Sequence, residues 1–223
     1  MSARRVIVAD DHPLFREALG LALQKALGQV ELVQAGNMDE LQQVSGEDKS
    51  ADLILLDLHM PGVQGFSALV YLRAHHPELP VCVISANNNH KVIQRAMDHG
   101  AAAFIHKSAS VDQIREVLNT VLAGDIWQPT DEDPPDPHQD ELEVAERLGE
   151  LTPQQFRVLM MLAEGLLNKQ IAYDLCISEA TVKAHMTAIF RKLEVSNRTQ
   201  AVLLVNQLAV EGPDTSSAGF GAG

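Results

Sequence analysis

Short apolar runs alternate with stretches of helical periodicity through the first 124 residues. The runs fall at roughly 5–9, 30–35, 52–57, 80–85 and 102–105, as in Val6-Ile7-Val8-Ala9 and Leu53-Ile54-Leu55-Leu56. Continuous apolar runs of this length predict strands buried on both faces. Amphipathic segments near 13–27, 38–46, 64–76, 88–98 and 110–123 predict a helix after each strand. Five such β-α units predict a flavodoxin-like, five-stranded, doubly wound parallel sheet with strand order 2-1-3-4-5. From Leu151 onward the periodicity is helical throughout. Thr152-Pro153-Gln154-Gln155 reads as a capping box, with Pro153 at the first helical position. Gly165 ends that helix, Asn168–Leu175 forms a second, Ser178 caps a third running to about Leu193, and a fourth spans about 198–209. The C-terminal part is therefore predicted to be an all-α, four-helix domain.

Between the two patterns, Asp131-Glu132-Asp133-Pro134-Pro135-Asp136-Pro137 has nothing to bury and reads as an extended linker, with a short helix expected over 139–148. The expected organisation is an α/β domain at 1–124, an acidic Pro-rich linker at 125–149, a helical domain at 150–209 and a Gly/Ser/Ala-rich, disordered tail at 210–223. The net charge of −13 argues against a nucleic-acid partner until it is divided. Residues 125–150 hold 1 basic against 10 acidic residues, whereas 151–210 holds 6 against 4. The acidity sits in the linker, and the helical domain is mildly basic. No apolar run is long enough to span a membrane, and Met1-Ser2-Ala3-Arg4-Arg5 leads directly into a strand without a signal-peptide pattern. Cys82 and Cys176 both read as small core residues. A cytoplasmic protein without a membrane association is expected.

The candidate chemistry lies at the strand tips. Asp57 ends one apolar run, Asp10 and Asp11 another and Ser85 a third, and Lys107 follows a fourth. In an open α/β sheet these C-terminal ends line the ligand crevice. Three carboxylates repel one another unless a cation joins them, and Mg²⁺ suits an all-oxygen set. In this reading Asp57 is the nucleophile that becomes an acyl phosphate. Mg²⁺ is held by Asp10, Asp11 and Asp57, while Lys107 and Ser85 contact phosphoryl oxygens. The nine histidines show no zinc-like spacing with cysteine.

In the helical part, Asn168–Leu175, the turn Cys176-Ile177-Ser178 and 179–193 make a helix-turn-helix pattern. Ile171, Ala172, Leu175, Ile177, Val182, Met186, Ile189 and Leu193 form the core stripe. Lys183, Ala184, Thr187 and Arg191 lie opposite, where Lys183 reaches a guanine edge or phosphate and Ala184 and Thr187 reach thymine methyls. Asn168, Lys169, Lys192 and Arg198 suit phosphate contacts.

The first region resembles a response-regulator receiver domain. The resemblance rests on Ala9-Asp10-Asp11-His12-Pro13, Asp57-Leu58-His59-Met60-Pro61-Gly62 with Gly65, Ser85-Ala86, and Lys107 after Gly100-Ala101-Ala102-Ala103-Phe104. It implies phosphotransfer to Asp57 from a sensor histidine kinase, the His59 carbonyl as a further Mg²⁺ ligand, and Phe104 as the aromatic switch residue. His59, two residues past the acceptor, is expected to tune acyl-phosphate lifetime.

The second region resembles the LuxR-type domain of NarL/FixJ regulators. The matching residues are Leu151-Thr152-Pro153, Gly165-Leu166, Asn168-Lys169, Ile171-Ala172, Thr181-Val182-Lys183 and Asn197-Arg198-Thr199. Together the two imply a DNA-binding transcriptional regulator that is not an enzyme. They add Thr181 to the residues facing double-stranded DNA. They also imply a homodimer on DNA through the last helix, with Ala201, Leu204, Val205 and Leu208 as its seam. Two rival readings remain at this point. A phosphatase using Asp57 would need a second Asp where His59 stands. A phosphorylation-independent module would bind protein through its C-terminal helices.

Overall fold

The computed structural model describes residues 3–47, 50–87, 89–127 and 139–210. The expectations for the Pro-rich stretch 128–138 and for the tail after 210 lie outside the described residues. Strands β1 (Arg4–Ala9), β2 (Val30–Ala35), β3 (Leu53–Asp57), β4 (Val81–Ser85) and β5 (Ala103–His106) form one parallel sheet in the order β2-β1-β3-β4-β5. Helices α1 (Pro13–Leu27), α2 (Met38–Glu47), α3 (Ser67–His75), α4 (His90–Asp98) and α5 (Val111–Leu122) follow the strands in turn. Alternate strand residues feed two cores. Val6, Val8, Leu55 and Ile105 face α1 and α5. Ile7, Ile54, Leu56 and Val83 face the opposite side, and that core continues into the C-terminal helices.

Helix α3 begins later than the periodicity suggests, because Gly62 and Gly65 both adopt positive φ and hold the preceding loop in turns. The Ser67 hydroxyl accepts from the Gln64 amide at the start of that helix.

The C-terminal domain comprises α7 (Pro153–Ala163), α8 (Asn168–Asp174), α9 (Glu179–Lys192) and α10 (Arg198–Asn206). Thr152 and Gln155 form the capping box reciprocally, Ser178 caps α9, and Asn197 caps α10. The turn between α8 and α9 passes through Cys176 at φ 53°. This left-handed residue turns its side chain outward, so Cys176 is exposed. The expectation that it is a core residue is corrected, whereas Cys82 is buried as expected.

The helix expected in the linker is α6 (Gln139–Gly149). Its Val144 and Leu148 are buried against α3, and Gly149 comes so close that an added Cβ would stand 3.0 Å from Ala74 Cβ. Tyr71 of α3 meets Phe156 of α7, ring centroids 5.0 Å apart. No helix among the described residues is long and apolar enough to cross a membrane.

Candidate functional site

The parallel register brings the strand tips to one edge, with Ala9 beside Leu56, Asp57 beside Ile84 and Ser85 beside His106. The acidic groups gather there. Asp10 and Asp57 are buried, Asp11 is half-buried, and ligating atoms of Asp10, Asp11, Asp57 and His12 lie within 4.8 Å of one another. The Lys107 ammonium bridges the set, 2.7 Å from Asp10 Oδ2 and 2.8 Å from Asp57 Oδ2, over the Phe15 ring. Arg16 donates to the Asp10 carbonyl, and the Asp10 carboxylate accepts from the His12 amide.

Burial pushes the Asp57 carboxyl up. His59, the Lys107 ammonium and its charge, and the His59 backbone amide together outweigh it and hold the group below the usual carboxylate value. His59 Nδ1 stands 3.9 Å from Asp57 Oδ1, beyond hydrogen-bond reach, so Lys107 is the partner that counts most. Burial likewise pushes Lys107 down, but Asp10 and Asp57 raise it on balance. At neutral pH Asp57 is an anion and Lys107 a cation.

The donor set suits a hard cation. It is rich in carboxylate oxygen, and the buried Asp11 Oδ1 has no hydrogen-bond donor. His12 Nδ1 stands 2.7 Å from that oxygen, an ion-pair approach if the ring is charged but not a hydrogen bond. His12 was quoted in the sequence motif but given no role there; its ring joins the cluster because it caps α1 beside Asp11.

The Ser85 hydroxyl accepts from the Asn87 amide at 3.1 Å and is fully buried. Phe104 is only 4 % exposed and already packed in the core.

In the C-terminal domain, Lys183, Ala184, Thr187 and Arg191 are exposed along one face of α9. Thr187 folds its hydroxyl onto the Lys183 carbonyl, so it presents its methyl. Thr181 is exposed and its hydroxyl pairs with the Ser178 cap. Lys169 is exposed and Asn168 half-buried at the start of α8.

Two cations expected at DNA phosphates make contacts within the domain. Lys192 Nζ donates to the Glu150 carbonyl at 2.7 Å and to Gln155 Oε1 at 2.9 Å. Arg198 donates to the Leu162 and Leu166 carbonyls, closing the end of α7. Both cations hold the domain together. The residues expected at the seam differ in burial. Ala201 and Val205 of α10, which packs on α7, and Leu208 just beyond it are fully buried in the core. Leu204 is half-buried, and the large apolar residue that α10 leaves outside is Leu203, 61 % exposed.

A further set of contacts joins the two domains. Glu141 of α6 accepts bidentately from Arg95 and lies 2.7 Å from His99 Nε2, both on or just after α4. Burial pushes Glu141 up, but His99 and Arg95 more than offset it and lower it overall. Arg95 also donates to the Gln207 carbonyl at 2.9 Å and the Ala209 carbonyl at 3.3 Å, and its guanidinium lies 4.8 Å from the Phe66 ring centroid. The Phe66 amide donates to the Leu208 carbonyl at 2.9 Å. On the neighbouring edge Arg157 pairs with Asp39, and the Gly62 amide donates to Glu164. No local signal marked these residues, since Arg95 and Glu141 are 46 positions apart and Glu141 sits in an acidic run.

Comparison with known proteins agrees with this geometry. Residues 6–119 match the response regulator receiver domain and residues 149–205 the bacterial regulatory proteins of the luxR family. The glycerol metabolism activator of Pseudomonas putida is 39 % identical over 89 % of this chain and 93 % of its own. The nitrate/nitrite response regulator NarL of Escherichia coli K12 is 28 % identical over 91 % and 94 %. A crystal form of the Salmonella typhimurium response regulator RcsB superposes with a TM-score of 0.52 at 25 % identity, covering 90 % of this chain and 98 % of that one. The chain belongs to the NarL/FixJ-type response regulators, DNA-binding transcriptional regulators that are not enzymes.

Proposed function

We propose that Asp57 is the phosphoryl acceptor and that its modification loosens the hold of the receiver, residues 1–124, on the DNA-binding domain, residues 150–209. The observation that carries this is Lys107 Nζ bridging Asp10 and Asp57 at 2.7 and 2.8 Å, which places an anionic nucleophile beside a cation able to take a phosphoryl oxygen. A carboxylate oxygen of Asp57 attacks phosphorus as the P–N bond to the phosphohistidine of a sensor kinase breaks. The bonding pair returns to that imidazole, which keeps or takes up a proton. Mg²⁺ held by Asp10, Asp11, Asp57 and the His59 carbonyl would neutralise charge on the phosphoryl oxygens. Lys107 exchanges a carboxylate for a phosphoryl oxygen, and the Ser85 hydroxyl donates to another.

The output is recognition of double-stranded DNA by Thr181, Lys183, Ala184, Thr187 and Arg191, with Asn168 and Lys169 on phosphates. A domain with so slight a positive balance needs two half-sites, which supports a homodimer on DNA. A cytoplasmic location follows from that target. The test is DNA affinity with and without a small phosphodonor and Mg²⁺. The wild type should gain severalfold and Asp57→Asn should gain nothing. An equal response in Asp57→Asn would overturn the reading.

A further inference from the structure

We infer that His106 is a positioning residue that braces the two arms meeting the phosphoryl group and opposes their rearrangement. The inference rests on Asp57 being the acceptor. His106 ends β5, immediately before Lys107 and directly across the sheet from Ser85. Its ring is used on both sides. Nε2 lies 3.0 Å from the Ala86 carbonyl, and Nδ1 lies 2.6 Å from Ser108 Oγ and 3.2 Å from the Ser108 amide.

These partners fix the tautomer. A carbonyl only accepts, so the proton is on Nε2; an amide only donates, so Nδ1 is bare and accepts. The imidazole thus ties the loop after β4, which carries Ser85, to the loop after β5, which carries Lys107. The backbone adds a further link, the Lys107 amide donating to the Ser85 carbonyl at 2.8 Å.

The grip falls on one peptide group. Ala86 C=O and Asn87 N–H belong to the same plane. His106 donates to its oxygen, and the Ser85 hydroxyl accepts from its nitrogen at 3.1 Å. A shift of the Ser85–Asn87 loop toward a phosphoryl group on Asp57 must stretch the His106 bond or drag the ring from Ser108. A ligand that draws Ser85 inward therefore works against this brace, and its apparent affinity is reduced accordingly.

The two ring nitrogens can be replaced separately. Glutamine places an amide nitrogen near Nε2 and keeps the bond to Ala86, whereas asparagine reaches only the Nδ1 position and keeps the bond to Ser108. The experiment titrates the full-length protein with beryllofluoride in the presence of Mg²⁺. It follows fluorescence of Trp127, the single tryptophan, which lines a 390 Å³ cleft with Phe104 and His106. His106→Ala and His106→Asn should reach half-saturation at about fivefold lower beryllofluoride, the fold-change that one ordinary hydrogen bond represents. His106→Gln should titrate like the wild type. Unchanged or weaker binding by His106→Ala, or a glutamine variant that behaves like alanine, would overturn the inference while leaving Asp57 as acceptor. A wild type with no saturable response that Asp57→Asn abolishes would remove the acceptor reading and this inference with it.

Discussion

Gly65 shows how one residue can hold two domains together. Its φ is +53°, and a Cβ built there would stand 1.9 Å from the Leu208 carbonyl oxygen and 2.7 Å from Ala209 Cα. The positive φ strains any side chain in every state of the protein, but the clash exists only while the end of α10 is docked. Gly65→Ala should therefore destabilise the docked arrangement selectively, by on the order of 2 kcal/mol or more, because the obstacle is backbone and not a flexible side chain. That corresponds to about a thirtyfold shift in the docked fraction. A larger radius of gyration and faster proteolysis between the domains are expected without phosphodonor. Unchanged values in a variant that still binds DNA would show that Leu208 does not rest on this loop in solution.

At the scale of elements, α6 behaves as part of the receiver as much as of the linker. It covers α3 with Val144 and Leu148 and sends Glu141 between Arg95 and His99. Glu141 has a depressed pKa in this arrangement, so its contribution to docking is fully present above its usual value of 4.5 and is lost as pH falls below that toward the lowered value. Docking followed by scattering or by proteolysis should weaken below about pH 4.5 in the wild type. Glu141→Gln should be partly undocked at neutral pH, since it leaves Arg95 half-buried without its carboxylate, and should lose that acid dependence. A wild-type acid response that persists in Glu141→Gln would place the titrating group elsewhere.

The same element shows where sequence reading stops. Strand order, helix caps and the gathering of Asp10, Asp11, Asp57 and Lys107 were legible because each follows from periodicity or from strand tips sharing one edge. The α6 helix was legible from 139–148, but its partners were not, since a chain contact over 46 residues leaves no local pattern. The contacts of Lys192 and Arg198 were hidden for a related reason. A surface cation that contacts DNA and one that closes a helix end are written with the same letters, and the carbonyls at 2.7 Å from each could not be read from the sequence. Ala201, Val205 and Leu208 differ from Leu203 only in phase, and the phase of a nine-residue helix needs a known partner before it can be assigned.

For the whole molecule, the docked arrangement leaves the reading face of α9 open while the end of α10 is held by Phe66 and Arg95. Occlusion of Lys183 or Arg191 is therefore not how the receiver restrains binding in this arrangement. What it restrains is α10, whose Leu203 is exposed; under the proposed function that side chain meets a second copy. Control should then act on pairing more than on reading, and the two can be separated by the DNA used. On a site with two half-sites, phosphodonor should raise affinity severalfold or more, because the second domain then binds at high effective concentration. On a single half-site, where one domain binds alone, the same treatment should change affinity less than twofold, with a salt dependence set by few phosphate contacts. Leu203→Glu should abolish the gain on the paired site while leaving half-site affinity unchanged, since that side chain lies off the reading face and outside the core. Equal gains on both DNAs would mean that phosphorylation exposes α9 itself, and a Leu203→Glu protein that still gained on the paired site would move the pairing surface off this helix.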